Sequence, residues 1–340
     1  MKIFNFNKSV VIKRILQNAF LILFLLNTFS LSCYAQKVSS ALNVISNSIA
    51  SPIREGEYYV RIEDVIYGRK YGTALTLDVI KPKTNANGFG IIVVISGGYF
   101  SAHEAIRPEF YRPLINRGYT LFAVVHGSQP RYQVPEIFND MKRAVRFVRH
   151  NARVFDINPD RIGATGGSAG GNLSLLLGTA ADDGDPKASD PVDRVSGKVQ
   201  AVACFYPPTD FLNWDGIGKA RIKVLSIEKP FRPAFDYHEL NQELNLWERV
   251  TDENRLIQIV KSISPIYHID STDAPTLIVH GDRDELVPLR QSESFIEKLK
   301  EAGVESKLIV KNGAGHGWQI QEQDLEVFAD WFDKYLRQRK

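Results

Sequence analysis

A serine within a glycine-rich pentapeptide is the residue whose setting points most directly to chemistry. Gly166-Gly167-Ser168-Ala169-Gly170 has the form G-x-S-x-G, with a strand-like segment before it and a helix-like segment after it. A sharp strand-to-helix turn strains the backbone of the serine, and only small flanking residues avoid a clash there. The hydroxyl then lies at a helix N-terminus, whose dipole favours developing negative charge. The pattern therefore predicts Ser168 as a nucleophile.

An acid and a histidine follow two later segments that are typical of buried strands. Residues 276–280 are followed by Asp282 and Asp284, and residues 306–310 are followed by His316. A histidine in this position would take the serine proton, and a carboxylate would orient its imidazole. Either aspartate could do this. The alternative is that all three are polar loop residues and that His316 is a solvated histidine.

The elements that must position these side chains alternate along the chain. Residues 58–67 and 73–80 have alternating hydrophobicity, which predicts an antiparallel hairpin at a sheet edge. Beyond them, apolar strands alternate with amphipathic helices, which predicts an α/β fold with a doubly wound, mostly parallel sheet. The predicted strands are 90–95, 119–125, 161–165, 199–205, 276–280 and 306–310, and the predicted helices are 107–117, 135–154, 172–180, 289–302 and 324–336.

One segment breaks this alternation. Residues 207–264 are rich in aromatic side chains and show no clear strand. We interpret them as a cap-like insertion over the C-terminal edge of the strands, where such folds carry their sites. The whole domain is expected to span residues 58–340, after an extended or loose lead-in over residues 36–57.

The N-terminal residues 1–35 have the composition of a secretory signal peptide. Basic residues precede an apolar run over residues 19–32, and small residues precede Ala35. Cleavage after Ala35 would give a secreted or periplasmic protein with no stable membrane insertion. An uncleaved anchor is the alternative, although the run is short for the ~20 residues that a span needs. A lipoprotein anchored at Cys33 is a further alternative.

Charge and cysteine content exclude several classes of protein. Loss of the four basic residues in the signal segment would change the net charge from +3 to −1, so nothing suggests nucleic-acid binding. Cys204 would be the only cysteine left, and it is expected to be an inert core residue. The sequence has no metal-ligand spacing and no phosphate or dinucleotide loop, so we expect neither metal nor cofactor.

With the order serine, aspartate, histidine, the chain resembles α/β-hydrolases of the esterase/lipase group. The likeness is strongest to bacterial carboxylesterases that include acetyl-xylan and feruloyl esterases, and it runs from about Tyr58 to the C-terminus. These proteins carry G-x-x-D-x-x-V-P at the acid turn, which Gly281 to Pro288 matches. The resemblance implies that Asp284 is the acid and that Asp282 is a turn residue.

The same resemblance implies an oxyanion hole, with one departure. Related esterases have His-Gly-Gly-Gly or His-Gly-Gly-aromatic after the third strand, whereas this chain has Ser96 where the histidine stands. The implied donors are the backbone N–H groups of Gly98, Tyr99 and Ala169. Because the donors are backbone groups, loss of the histidine need not disable the site, but the effect of Ser96 on the loop is left open.

Several further side chains are expected near the site. Tyr99, Phe100 and Trp318 are predicted to line a substrate cleft, with ordinary partial burial as the alternative. His126 follows the strand over residues 119–125. We interpret it as a structural loop histidine, and a second active-site histidine is the alternative.

These observations predict hydrolysis of carboxylic esters through an acyl-enzyme. Secretion and the resemblance together imply short-chain acyl or feruloyl esters of polysaccharides, so the expected partner is a small-molecule or polysaccharide ester. A single-domain serine peptidase of the prolyl-oligopeptidase type and an inactive binding module are the alternatives. A fluorophosphonate probe separates an enzyme from a binding module because only an activated serine is labelled. The oligomeric state is not predicted.

Overall fold

A nine-stranded sheet forms the centre of the part of the chain that the computed structural model describes, residues 52–221 and 227–337. The predicted signal segment and Cys33 lie outside these residues. The strands of the sheet, in chain order, are β1 (Ile53–Glu55), β2 (Tyr59–Lys70), β3 (Thr73–Pro82), β4 (Gly90–Ile95), β5 (Thr120–Val125), β6 (Ile162–Gly167), β7 (Ala201–Phe205), β10 (Thr276–Gly281) and β11 (Ser306–Lys311). The remaining two strands, β8 (His238–Asn241) and β9 (Leu246–Arg249), form a separate hairpin between β7 and β10 in the sequence.

The strand order is β1-β2-β3-β5-β4-β6-β7-β10-β11. The first three strands pair antiparallel at one edge, and the strands from β5 to β11 along this order are parallel. All six residues of β4 are buried, as expected for a central strand covered on both faces. The predicted α/β fold with a mostly parallel sheet is confirmed.

Helices cover both faces of this sheet. Two separate clusters of buried apolar side chains lie on its two sides, so each face has its own core. On one side, Phe328 stacks on Phe205 of β7 with ring centroids 4.3 Å apart. The α-helices are α1 (Arg112–Asn116), α2 (Val134–His150), α3 (Ala152–Phe155), α4 (Ala169–Thr179), α5 (Glu253–Ser262), α6 (Arg290–Glu301) and α7 (Glu322–Phe332).

Three predicted helices are interrupted. The segment predicted as one helix over 107–117 contains a 3₁₀ turn, Pro108–Tyr111, followed by α1. The segment predicted as one helix over 135–154 contains two helices, α2 and α3. The last helix continues as a π-helical turn over Asp333–Arg337. Apolar periodicity places a helix but does not resolve such local changes of hydrogen-bonding pattern.

The lead-in, expected to be extended or loose, ends in a strand that was not predicted as part of the sheet. Residues Ile53–Glu55 form β1, which pairs antiparallel with β2. All three residues of β1 are exposed, so the alternation of apolar and polar residues that reveals a half-buried strand is missing. The Arg54 side chain adds an ion pair with Glu63, at 2.9 Å between Nε and Oε2.

The insertion over 207–264 also contains strands that the sequence pattern did not show. β8 and β9 form an antiparallel hairpin, and every residue of β9 is exposed. The side chain of Gln133 joins this hairpin to the start of α2 because its amide accepts from the His238 N–H and donates to the His238 carbonyl. Among residues 52–221 and 227–337, no helix has the length and apolar character needed to cross a membrane.

Candidate active site

Ser168 lies at the turn between β6 and α4. Its backbone has φ 54° and ψ −120°, a conformation that L-residues rarely adopt. A Cβ on Gly166 would lie 2.6 Å from the backbone of Gly170, and one on Gly170 would lie 2.8 Å from the Val94 carbonyl. Positions 166 and 170 therefore require glycine. The turn presents the serine hydroxyl at the start of a helix.

The structure brings the three predicted catalytic side chains into one hydrogen-bonded chain. The Nε2 atom of His316 lies 3.0 Å from the Ser168 Oγ, and its Nδ1 lies 2.7 Å from Asp284 Oδ2. Each of the three residues follows the carboxyl end of a parallel strand, β6, β10 or β11, so the sheet places them at one edge. This geometry allows proton transfer from the serine to a histidine that a carboxylate holds in place.

Asp284 rather than Asp282 reaches the imidazole. Its Oδ1 accepts the backbone N–H groups of Leu286 and Val287 at 3.0 and 2.9 Å, while its Oδ2 faces His316. Burial raises the pKa of Asp284, but hydrogen bonds from His280, His316 and the Val287 N–H outweigh burial and hold that pKa well below its usual range. The Asp282 carboxylate instead accepts the Gly313 N–H at 2.6 Å and stabilises the turn.

A second histidine, His280, contacts the acid, and no sequence motif indicated this role. It is fully buried at the end of β10, with Nδ1 2.7 Å from Ser292 Oγ and Nε2 2.9 Å from the Val287 carbonyl. Nε2 is also 3.2 Å from Asp284 Oδ2. Because Nε2 faces two acceptors, it must carry the proton and donate. His280 thus donates to the same carboxylate oxygen that faces His316.

The predicted oxyanion loop is a tight turn. Gly97 and Phe100 exchange two backbone hydrogen bonds at 3.0 and 2.9 Å, and the residues between them, Gly98 and Tyr99, have φ of 54° and 65°. Among the described residues, none accepts a hydrogen bond from the Gly98 or Tyr99 N–H. Ala169 is the first residue of α4, where helix N–H groups have no partner within the helix.

Ser96 contacts His126 at the base of this turn. The His126 Nδ1 lies 2.8 Å from the Gly127 carbonyl, an acceptor, so Nδ1 carries the proton. Its Nε2 therefore accepts from the Ser96 hydroxyl, also at 2.8 Å. His126 is buried, and this burial lowers its pKa from the ordinary 6.5 to about 4, with Lys70 acting in the same direction. A neutral imidazole thus supports the loop where Ser96 replaces the usual histidine.

Two further side chains hold the turn, and the sequence analysis named neither. Gln129 donates from its N–H to the Tyr99 carbonyl at 3.2 Å and from its side-chain amide to the Gly98 carbonyl. Asn172 on α4 accepts from the Tyr99 hydroxyl at 3.1 Å and donates to the carbonyls of Pro208 and Ile263. These contacts join the turn, the helix that follows Ser168 and the insertion.

Two cavities meet at Ser168. The larger has a volume of about 510 Å³ and is lined by Phe100, of which 48% is exposed, and by His316. The smaller has a volume of about 50 Å³ and is lined by Tyr99 and Ala169. The third predicted cleft residue, Trp318, is not among the residues that line either cavity. It packs edge-on against Phe205 and Tyr206.

A group of acids and a histidine at the sheet edge is organised around an arginine. Ligand atoms of Glu63, Asp78 and His103 lie within 4.8 Å of one another. The Arg61 guanidinium lies between them, with Nε 2.6 Å from Asp78 and 3.3 Å from Glu63 and with Nη2 3.3 Å from His103. The acids thus neutralise the Arg61 cation, and we do not propose this group as a metal site.

The parallel sheet, the strained serine turn and the residues at the ends of β6, β10 and β11 together define an α/β-hydrolase. The comparison with family models agrees with this class. The BD-FAE family model matches residues 77–299, and the chain belongs to this family.

Several known proteins with similar sequences or structures are named as esterases, and others among the relatives are named as acylamino-acid-releasing enzymes. Esterase LipQ of Mycobacterium tuberculosis is 28% identical over 252 residues, which cover 72% of this chain and 54% of LipQ. The chain thus spans about half the length of this curated relative. A truncated carbohydrate esterase from gut microbiota has a TM-score of 0.68 at 24% identity, covering 85% of this chain and 100% of its own. An acetyl ester-xyloside bifunctional hydrolase from Caldicellulosiruptor lactoaceticus has a TM-score of 0.63 at 24% identity, covering 80% and 95%.

Proposed function

We propose that the protein is a serine carboxylic-ester hydrolase that acts through Ser168, His316 and Asp284. The observation that carries the proposal is the pair of hydrogen bonds, 3.0 and 2.7 Å, that link serine, imidazole and carboxylate at a strained strand-to-helix turn. The esterase names of the relatives support it.

In the acylation step, the Ser168 Oγ attacks the ester carbonyl carbon while His316 takes its proton. A bond forms between Oγ and the acyl carbon, and the negative charge moves to the carbonyl oxygen. The N–H groups of Gly98, Tyr99 and Ala169 would stabilise this oxyanion, each contributing about 3 kcal/mol. The bond to the alcohol oxygen then breaks, and His316 gives its proton to the departing alcohol.

In the deacylation step, water replaces the alcohol. His316 takes a proton from the water as its oxygen attacks the acyl carbon. The bond between the acyl group and Oγ breaks, the acid leaves, and the proton returns to Ser168. Asp284 remains a carboxylate throughout, because its low pKa keeps it ionised while it stabilises the imidazolium. The reaction as written uses no oxidant, reductant or cofactor.

The proposed substrates are acyl esters of polysaccharides. Two structural neighbours are named as a carbohydrate esterase and as an acetyl ester-xyloside hydrolase. The larger cavity at Ser168 has the volume typical of small-molecule sites, and aromatic side chains line much of it. Both observations support an alcohol part of the size of a sugar.

The first test combines labelling and turnover in Ser168→Ala. The wild-type protein is expected to react with a fluorophosphonate probe and to hydrolyse p-nitrophenyl acetate, and the variant is expected to lose labelling and at least about 10³-fold in kcat. Ser189→Ala, which changes an exposed serine, is the control and should behave as the wild type. Equal rates in Ser168→Ala and wild type, or no hydrolysis and no labelling in either, would contradict the proposal. Cleavage of peptides but not esters would favour the peptidase alternative.

We also propose that the protein is exported. The support is the composition of residues 1–35, where basic residues, an apolar run and small residues occur in the order of a signal peptide. Expression of the full chain in a bacterial host, followed by N-terminal sequencing of the exported protein, should give Gln36 as the first residue. A chain that retains residues 1–35 or carries lipid on Cys33 would contradict cleavage after Ala35.

A further inference from the structure

The two cavities at Ser168 differ in which catalytic residues they contain. Gly98, Ser168, Phe231 and Leu286 line both of them. His316 lines the larger cavity and is not among the residues that line the smaller one. The nucleophile is thus reached from two sides, and the proton donor faces only one side.

This asymmetry indicates which cavity holds the alcohol part of an ester and which holds the acyl part. Under the proposed mechanism, His316 protonates the alcohol oxygen as it departs, so that oxygen must lie on the side of the imidazole. The alcohol therefore occupies the larger cavity. The acyl group is bonded to the same carbonyl carbon and points away from the departing oxygen, which places it in the smaller cavity beside the oxyanion turn.

The smaller cavity limits the length of the acyl group. Its volume of about 50 Å³ is much smaller than the volume of about 510 Å³ of the larger cavity. An acetyl or propionyl chain fits such a space, whereas a feruloyl group adds an aromatic ring that does not. The side chains that bound it are mainly apolar and include Pro208, Phe211, Trp214, Ile227, Phe231 and Phe235.

Two aromatic side chains form the walls of this cavity. The Phe231 ring lies against the oxyanion turn, since a Cβ on Gly98 would be 2.4 Å from it. Trp214 is buried and stacks on Phe211 with ring centroids 5.5 Å apart, and the Arg221 guanidinium lies over the Trp214 ring at 4.6 Å. Burial and these two contacts hold the indole in place.

We propose that the smaller cavity is an acyl pocket for short acyl chains, that Trp214 and Phe231 set its limit, and that the larger cavity takes the alcohol. This inference rests on the proposed ester hydrolysis and narrows its substrates from short-chain or feruloyl esters to short-chain acyl esters. The limit is mainly steric, because most of the side chains that bound the pocket are apolar and the two charged ones, Arg221 and Glu228, form an ion pair at 2.7 Å.

The wild-type protein gives the first measurement. Values of kcat/KM for p-nitrophenyl acetate, butyrate and hexanoate, and for methyl ferulate, should fall with acyl size. The expected value for acetate is at least tenfold above those for hexanoate and methyl ferulate. Hexanoate or ferulate turnover equal to acetate turnover would overturn the assignment.

Enlarging the pocket gives the second measurement. Trp214→Ala and Phe231→Ala should each raise the hexanoate-to-acetate ratio of kcat/KM at least tenfold. Phe231 is only partly buried, so its replacement tests the pocket even where Trp214→Ala disturbs folding. Trp247→Ala, which removes an exposed tryptophan that lines neither cavity, is the matched control and should leave the ratio unchanged.

Fluorophosphonate labelling separates the two ways in which this inference can fail. A wild-type protein that neither labels nor hydrolyses any ester would overturn the proposed function and the pocket with it. The wild-type protein could instead label at Ser168 and hydrolyse acetate while the hexanoate-to-acetate ratio of kcat/KM rises in neither variant. That result would overturn the acyl pocket alone.

Discussion

Asp284 illustrates how single residues gain a role from their neighbours. Its two oxygens receive two backbone N–H groups and contact two imidazoles, so the carboxylate has few remaining ways to move. A carboxylate fixed in this way both selects the His316 tautomer and stabilises its cation. The neighbouring Asp282, two residues earlier on the same loop, has no such contact with the imidazole.

Replacing Asp284 with asparagine should therefore be far more damaging than the same change at Asp282. Asp284→Asn is expected to lower kcat for p-nitrophenyl acetate about 10⁴-fold, because an amide favours the wrong tautomer of the imidazole. Asp282→Asn removes only a charge in a turn and serves as the control, with kcat expected within about threefold of the wild type. Similar losses in both variants would argue against Asp284 as the acid.

His126 should make the free energy of unfolding depend on pH. Its folded-state pKa is about 4 and its ordinary value is 6.5, so between these pH values the unfolded chain binds a proton that the folded chain does not. The contribution of His126 to the free energy of unfolding is fully present above pH 6.5. It decreases by about 1.4 kcal/mol per pH unit as the pH falls toward 4.

The test compares His126→Gln with the wild type in urea unfolding at pH 6.5 and pH 5. The variant lacks the titrating group, so its free energy of unfolding should fall less between the two pH values, by about 1–2 kcal/mol. Replacement of His150, an exposed histidine at the end of α2, is the control. Parallel pH dependence in His126→Gln and wild type would mean that His126 is not buried in the neutral form.

Sequence reasoning found the residues that carry motif information and missed those that act through tertiary contacts. Ser168 and His316 were predicted from strand ends and glycine turns, and the structure places their side chains within hydrogen-bond distance. His280, Gln129 and Asn172 have ordinary sequence surroundings. Their importance comes from partners up to 91 positions away, as between Asn172 and Ile263, and no local pattern reports such a contact.

At the scale of elements, the oxyanion turn depends on the loop after β5. That loop supplies His126 to Ser96 and Gln129 to the carbonyls of the turn, so a neighbouring strand end supports the position where a histidine is usual. Under the proposed mechanism, the N–H groups of the turn can stabilise the oxyanion only while the carbonyls of the turn are held in place. We therefore expect this loop to affect turnover through the position of the turn.

Gln129→Ala should lower kcat for p-nitrophenyl acetate on the order of tenfold while KM changes less than threefold. The side-chain bond to the Gly98 carbonyl is lost, and a small displacement of the turn weakens the stabilisation of the transition state more than substrate binding. Gln258→Ala on the exposed face of α5 is the control and should change neither constant. A rise in KM at constant kcat would instead assign Gln129 to substrate binding.

The elements themselves were predictable where they are half-buried or fully buried. All the parallel strands and the long helices were found from their apolar pattern, with boundaries that moved by a few residues. The exceptions are β1, β8 and β9, which are short and largely exposed. Backbone hydrogen bonds to a neighbouring strand hold these strands in place. Such bonds do not depend on the hydrophobic pattern of the side chains, so the pattern does not predict the strands.

At the scale of the whole molecule, α7 covers one face of the sheet and belongs to the end of the described chain. Its Phe332 is fully buried, contacts Tyr119 with ring centroids 6.2 Å apart, and leaves no room for a Cβ at Gly163 of β6. Residues far apart in sequence thus meet in a close-packed core. Alternation of strands and helices predicted this layering but not the partners within it.

Phe332→Ala should lower the free energy of unfolding by about 3–5 kcal/mol, because a fully buried ring is lost and a cavity is left. Phe110→Ala, at a ring that is 36% exposed, is the control and should lower it by less than about 1.5 kcal/mol. Urea unfolding followed by circular dichroism measures both. Equal losses would show that the face under α7 can collapse around the missing ring.

The backbone of Ser168 has a consequence for evolution and engineering. A non-glycine residue at φ 54° and ψ −120° raises the energy of the folded state by about 1–3 kcal/mol, which the rest of the molecule must offset. A glycine there relaxes without that penalty, so selection for thermal resistance alone would favour variants that have lost the nucleophile. Heat tolerance and turnover are opposed at this one position, and a library screened only for melting temperature would be enriched in inactive protein.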